Sequence, residues 1–405
     1  MILFAALCLV SLLLIWQFVG YPLLMGIVAL RAKPRPKNHA FTPFVSIIVP
    51  AYNELTAIRL RIENLFALDY PDDQYEIVVV ESGSTDGTDE AVEEIIARRG
   101  SHHPDLRLLR ETERQGKASA INLGKQHAKG EIVLVTDANS HFKPDVLREM
   151  MPHFQEPKIG AVGGRYMVSN PDNVYTASES FYWDLEYIMR RGEAALDSAC
   201  LFHGEINAWR KALAEADTLN LSEDLDTVIQ IRRAGYKIEY EPAAIVYEPA
   251  ATTAEDQIRQ RKRTTIGTLQ CIFKYLDYFL LPRDLYSLFI FPSHKGLVVL
   301  SPFLILAIGI LYLLTGDIGV IAAHAVVTVV VFALLLGALV FVRARLLGKT
   351  EGTAGISFAS VPRIVYYVLL NEYLILLAWR DFVTRRYSIL WEKAETARTQ
   401  SAGPA

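Results

Sequence analysis

Residues 44–54 read FVSIIVPAYNE and residues 75–88 read YEIVVVESGSTDGT. Each stretch begins with an unbroken apolar run of strand length, the pattern of a strand buried on both faces of a parallel sheet. Each then breaks into polar and turn-forming residues. Between them Leu55–Leu68 carries helical spacing, and after the GSTDG turn Thr88 is placed to cap a helix opened by Asp89 and Glu90. Leu106–Leu109, a helical stretch around Ala118–His127, and Glu131–Thr136 (EIVLVT) continue the alternation. Strand, helix, strand, helix predicts a doubly wound α/β sheet with crossover connections. No G-x-G-x-x-G follows any of these strands, so a dinucleotide fold lacks its phosphate loop.

The flanks are of another kind. The chain has 405 residues, 51% hydrophobic and 21% charged, which excludes a disordered polymer. Its net charge of −4 provides no global field for nucleic acid. Cys8, Cys200 and Cys271 fall in no metal-ligand or C-x-x-C spacing and read as reduced packing residues. Residues 1–30 and 296–316 contain no Asp, Glu, Lys, Arg or His. Each is long enough to cross a bilayer core, which takes roughly 20 apolar residues. Arg31, Lys33, Arg35 and Lys37 follow the first stretch, and Arg343, Arg345 and Lys349 follow the returning helix. Both clusters favour a cytoplasmic location for the middle of the chain. The division expected is a transmembrane helix over 1–30, a basic linker over 31–43, a catalytic-sized domain over 44–270 and interfacial helices over 271–295. A transmembrane helix pair over 296–342, a cytoplasmic loop over 343–362, a transmembrane or interfacial helix over 363–380 and a tail over 381–405 complete it. Asn371 and Glu372 in the last apolar stretch leave its two readings open.

In doubly wound sheets ligands bind beyond the carboxyl ends of the strands. There stand Pro50, Ala51, Tyr52, Asn53 and Glu54, then Glu81, Ser82 and Asp86, then Asp137, Ala138, Asn139 and Ser140. A carboxylate ending a buried strand suits a hard divalent cation on a diphosphate, although Asp137 can equally cap the following helix. In LSEDLDTVIQIRR (221–233), Ser222 is an N-cap, and Glu223, Asp224 and Asp226 complement the helix dipole. Asp224 can also serve as a general base presented at a helix start. Arg259, Gln260, Arg261, Lys262 and Arg263 form a basic group suited to lipid headgroups or to a departing diphosphate. Phe181, Tyr182, Trp183 and Tyr187, with His203, Glu205, Asn207 and Trp209, read first as core, with aromatic faces that can also stack on sugar.

Together these segments resemble the membrane-bound inverting glycosyltransferases of family 2, which have a GT-A fold. The matching pieces are GYPLL (20–24), VSIIVPAYNE (45–54), GSTDGT (83–88), GKASAINLG (116–124), TDAN (136–139), SEDLD (222–226), Gln260-x-x-Arg263 and SHK (293–295). The resemblance implies that Pro50, Ala51, Tyr52 and Glu54 line a nucleotide pocket, with Glu81 and Ser82 beside the base, and that Lys117 approaches the donor. It implies Asp137 and Asn139 as the D-x-D counterpart holding Mg²⁺ or Mn²⁺. Asp224 would be the base, with Gln260, Arg263, Glu223 and Trp183 on the diphosphate and acceptor side. The activity implied is transfer of a sugar from a nucleotide-sugar donor to a lipid or lipid-linked saccharide acceptor at the cytoplasmic face of the cell membrane. Three positions depart from the family pattern: Ser82 for Asp, Asn139 for Asp, and Thr264 for the Trp of Q-x-x-R-W. The first puts a uridine donor in doubt, and the third favours single addition over a processive polysaccharide synthase. A silent GT-A domain that binds lipid or partners is the reading from another class.

Overall fold

The computed structural model describes residues 2–170, 174–249, 253–348 and 361–388, without the side chains of 174–181 and 361–367. The chain divides into two compact units, one within 34–183 and 201–267, the other within 2–33, 184–200 and 268–386. The loop 349–360 and the tail beyond 388 lie outside the described residues.

Among the described residues the first unit has eight strands: β1 (Val45–Ala51), β2 (Tyr75–Glu81), β3 (Asp105–Arg110), β4 (Ile132–Val135), β5 (His141–Phe142), β6 (Ile159–Val168), β7 (Asn207–Arg210) and β8 (Lys237–Glu248). They lie in the order β3-β2-β1-β4-β7-β6-β8-β5. β3, β2, β1 and β4 are parallel, as the alternation of strands and helices requires. From β7 onward the sheet is mixed, because β7 runs antiparallel to both β4 and β6. The doubly wound reading therefore describes one half of the sheet; the four-residue β7 carries no hydrophobic pattern that announces its direction.

Alternation along β1 and β2 decides which helix packs where. Ile47, Val49, Ile77 and Val79 join Ile58, Ile62 and Leu65 of the helix Leu55–Phe66 in one apolar cluster. Ile48 and Val80 face the opposite side and meet Gly124 of the helix Lys117–His127. A Cβ at Gly124 would stand 2.6 Å from Ile48 Cγ2, so the helix reaches the sheet only without one. Each such buried Ile or Val contributes about 1.5–3 kcal/mol of transfer free energy. Two of the linker's cations are spoken for: Arg35 pairs with Glu239 at 3.1 Å, and Lys37 with Glu241 at 2.7 Å and with Glu149.

Among the described residues the second unit holds three helices long and apolar enough to cross a membrane: Ile2–Arg31, Tyr286–Thr315 and Ile318–Leu347. Gly316, in the left-handed region at φ 63°, ends the second, and Asp317 caps the third by accepting from Val320 N at 3.1 Å. The expected interfacial pair takes another form. Leu276–Leu280 is a short helix, while Tyr286–Gly296 already belongs to the long one and accommodates Pro292 in π-type turns. Helix Val361–Thr384 meets Tyr286–Thr315 through polar contacts, Ser301 Oγ to Glu372 at 2.7 Å and Trp379 Nε1 to the Val299 carbonyl at 2.8 Å.

A buried polar network gathers GYPLL and SHK inside this unit. Tyr21 donates to Glu193 at 2.7 Å, His294 bridges Glu193 (2.6 Å) and Glu186 (3.2 Å), and Lys295 and Arg190 both reach Glu186. Burial pushes Glu186 upward, but Lys295, His294 and Arg190 outweigh it and hold the carboxyl well below its usual range. Among the described residues none of the three cysteines forms a disulfide, and Cys200 and Cys271 are buried.

Candidate active site

The GSTDGT turn is laced to PAYNE by hydrogen bonds that the helix starts require. Asn53, left-handed at φ 53°, donates its N–H to Ser84 Oγ (2.9 Å) and accepts from Thr85 N (2.8 Å). Asp86 accepts from Leu55 N and from Thr88 N, both at 3.1 Å, so it serves two helix N-termini. Thr88 is the first helical residue, after left-handed Gly87, and its Oγ1 accepts from Glu54 N at 2.9 Å. It is thus not the cap expected from the sequence: the left-handed glycine takes that place. Glu81 accepts from Ser84 N, and its neighbour Ser82 is buried. Arg114 lies 3.7 Å over the Tyr52 ring. Pro50 and Ala51 end β1 beneath this turn.

Asp137 stands past the end of β4, where Lys117, first residue of its helix, reaches it at 2.6 Å. The same ammonium is 3.5 Å from Glu223 Oε1, and Arg263 approaches the other Glu223 oxygen at 3.8 Å. Burial lowers the Lys117 affinity for its proton, but Asp137, Glu223 and Glu205 raise it further, so the cation is firmly held. Gly267 permits this assembly: a Cβ there would collide with Ser222, and Ser222 Oγ donates to the Thr264 carbonyl at 3.4 Å. Ser222 occupies the N-cap position without a side-chain cap bond.

Asp224 lines a small pocket with Glu223, Gly204, Asn207 and Trp209. Burial, then Glu223 and Glu205, raise its carboxyl to about 6, against the pull of the Leu225 N–H and Lys117. A base poised there is ionised at neutral pH yet basic enough to take a hydroxyl proton.

Carboxylate oxygens of Asp137, Glu205 and Glu248 lie within 4.8 Å of one another. Asn139 turns its amide nitrogen to this group, donating to Glu248 at 3.0 Å beside Ser140 at 2.8 Å, and among the described residues its buried Oδ1 has no hydrogen-bond partner. Three carboxylates with an orphaned amide oxygen make an all-oxygen donor set that fits Mg²⁺ or Mn²⁺. Burial pushes Glu205 up, but His203 (3.6 Å) and Lys117 hold it down at about 2. No motif marks Glu205 or Glu248. Glu248 ends β8, so the strand-end rule that picks out Asp137 also finds it once β8 is known.

The Trp183 ring lies tilted against Tyr166 at 5.0 Å and His203 at 4.4 Å, which ties the aromatic group to Glu205 through His203. Gln260 is exposed on the helix Ala254–Lys274. The structure thus brings Lys117, Asp137, Glu223, Asp224 and Arg263 together and leaves Gln260 at the rim.

A mixed sheet of this order, with an acidic cluster and a lysine at its strand ends, defines a GT-A domain. Models described as glycosyl transferase family 2 and glycosyl transferase family group 2 match residues 46–216 and 132–345. The chain belongs to glycosyl transferase family group 2. It is 32% identical over 262 residues to a beta-monoglucosyldiacylglycerol synthase of a Nostoc species, covering 63% of this chain and 54% of the relative. It is 26% identical over 241 residues to a poly-beta-1,6-N-acetyl-D-glucosamine synthase of Staphylococcus aureus, covering 58% and 56%. The chain thus spans about half the length of these curated relatives. A solved mannosyltransferase of Pyrobaculum calidifontis, in complex with GDP-Man and Mn²⁺, superposes with TM-score 0.62 at 26% identity, covering 86% of this chain and all of that one.

Proposed function

We propose that this chain is a multi-pass, cytoplasm-facing inverting glycosyltransferase that moves a sugar from a nucleotide-sugar donor to a lipid or lipid-linked saccharide. The observation that carries the reading is the convergence of a base, Asp224, with Lys117 and the Asp137–Glu205–Glu248 cluster at the strand ends. Asp224 accepts the proton of the acceptor hydroxyl as its oxygen bonds to the anomeric carbon; the bond from that carbon to the diphosphate breaks, and the electron pair leaves with the diphosphate. Asp137, Glu205 and Glu248 would hold a divalent cation, which supplies charge neutralisation on the diphosphate when bound. Lys117 and Arg263 add positive charge on the leaving-group side. Helices able to cross a membrane and the named glycolipid synthase relatives support a lipid acceptor.

A processive polymerase is the second reading, favoured by the likeness to the poly-N-acetylglucosamine synthase. Thr264, in place of a stacking aromatic, supports single addition. Mass spectrometry of lipid products from one radiolabelled donor separates the two. One sugar per lipid supports the proposal, a ladder supports the polymerase, and incorporation unchanged by Asp224→Asn refutes both.

A further inference from the structure

Arg61, on the helix Leu55–Phe66, is one of two arginines that are the largest fully buried side chains among the described residues, 1% exposed. Its guanidinium donates to Asn64 Oδ1 and to Thr136 Oγ1, both at 2.6 Å, and lies 4.0 Å over the Phe142 ring. None of these contacts is an anion, and among the described residues Nε has no hydrogen-bond partner. A guanidinium removed from water without a carboxylate in contact is an unfavourable arrangement that packing alone does not call for. The acids whose field reaches it are Asp137 and Glu248, two members of the proposed metal cluster. Burial pulls the Arg61 guanidinium down to about 9, so it is still cationic near neutral pH.

The geometry around Arg61 acts on the same loop. Thr136 directly precedes Asp137. Asn64 exchanges two 2.8 Å hydrogen bonds with the Phe142 backbone, so Arg61 and Asn64 clasp both ends of the segment that carries Asp137 and Asn139. Lys117 contributes a second positive charge from the pocket side, on a flexible stem that can leave Asp137 for a phosphate. Arg61 has no such freedom.

We infer that Arg61 is a fixed internal counter-charge for the Asp137–Glu205–Glu248 cluster, a positioning residue that keeps the free site weak for divalent cations until an anionic diphosphate arrives with the ion. The inference rests on the metal reading proposed above. It makes the nucleotide, and not the protein alone, the main source of metal affinity.

The test measures Mn²⁺ binding to the full chain in detergent by electron paramagnetic resonance, with Mn²⁺ alone and with added GDP or UDP. Wild type is expected to bind Mn²⁺ weakly alone and at least about tenfold more tightly with one of the nucleotides. Arg61→Gln removes the charge and should tighten binding of Mn²⁺ alone by roughly tenfold, whereas Arg61→Lys retains the charge and should match wild type. Arg61→Gln equal to wild type, or Arg61→Lys equal to Arg61→Gln, overturns the inference and leaves the metal reading standing. If Arg61→Gln does not fold, the wild-type comparison decides: equal Mn²⁺ affinity with and without nucleotide overturns it. Absence of Mn²⁺ from wild type in every arm overturns the metal reading itself.

Discussion

Lys117 Nζ lies 2.6 Å from Asp137 Oδ1 and 3.5 Å from Glu223 Oε1, so one ammonium group joins the end of β4 to the start of the helix that presents Asp224. Lys117→Met leaves both carboxylates without that cation, and breaking such a buried pair costs about 3–5 kcal/mol. The variant should melt lower than wild type in detergent, and Mn²⁺ should restore more of its melting temperature than it adds to wild type. Identical melting curves would refute the pairing.

Asp224→Asn should lower kcat by about 10²–10⁴-fold while leaving nucleotide affinity nearly intact. The carboxyl is raised from 3.8 to about 6, so below that pH it is protonated and cannot accept a proton. The wild-type kcat/KM should therefore rise with pH up to about 6 and level off above it. A native group with a raised pKa binds its proton more tightly than the unfolded chain does, so its stabilising effect is present at low pH and is lost as pH rises from about 4 through 6. Asp224→Asn should melt above wild type at pH 7.5, with the gap closing towards pH 4. An acid limb that persists in kcat/KM measurements of any residual activity of Asp224→Asn would assign the titration to another group.

Glu205→Gln and Glu248→Gln should each weaken Mn²⁺ binding in the presence of nucleotide by about 10–100-fold, measured by calorimetry, because each removes an anionic oxygen from the cluster. Ser82→Asp is the contrasting variant. If Ser82 lies at the base, UDP binding tightens and Mn²⁺ stoichiometry stays the same; an unchanged UDP affinity counts against that placement.

How much of this was legible beforehand differs by level. β1, β2 and β4 stand out as apolar runs because parallel strands are buried on both faces, and the residues after them line the candidate site. Lys117 and Asp224 follow from motif order. Glu205 and Glu248 do not, because they reach Asp137 only through the mixed half of the sheet, where β7 and β8 meet β6 over long sequence separations. Asn139 reads as a weakened metal ligand until Glu248 is seen to occupy its amide. Arg61 reads as one more cation on a helix, since no local pattern reveals that its face of Leu55–Phe66 is fully covered.

Glu186→Gln removes the carboxylate that faces His294, Lys295 and Arg190, so three groups in a buried network each lose an anionic contact. A loss of about 3–5 kcal/mol is expected, read as a lower melting temperature in detergent. Wild-type stability in this variant would show the network to be dispensable.

The most direct measurement incubates the detergent-purified chain with Mn²⁺ or Mg²⁺, a membrane lipid extract and a panel of UDP-, GDP- and TDP-sugars, and follows free nucleoside diphosphate. The account predicts release from one donor that depends on added lipid and is abolished both by a chelator and by Asp224→Asn. Release that survives Asp224→Asn, or silence from folded protein across the whole panel with lipid present, would contradict it.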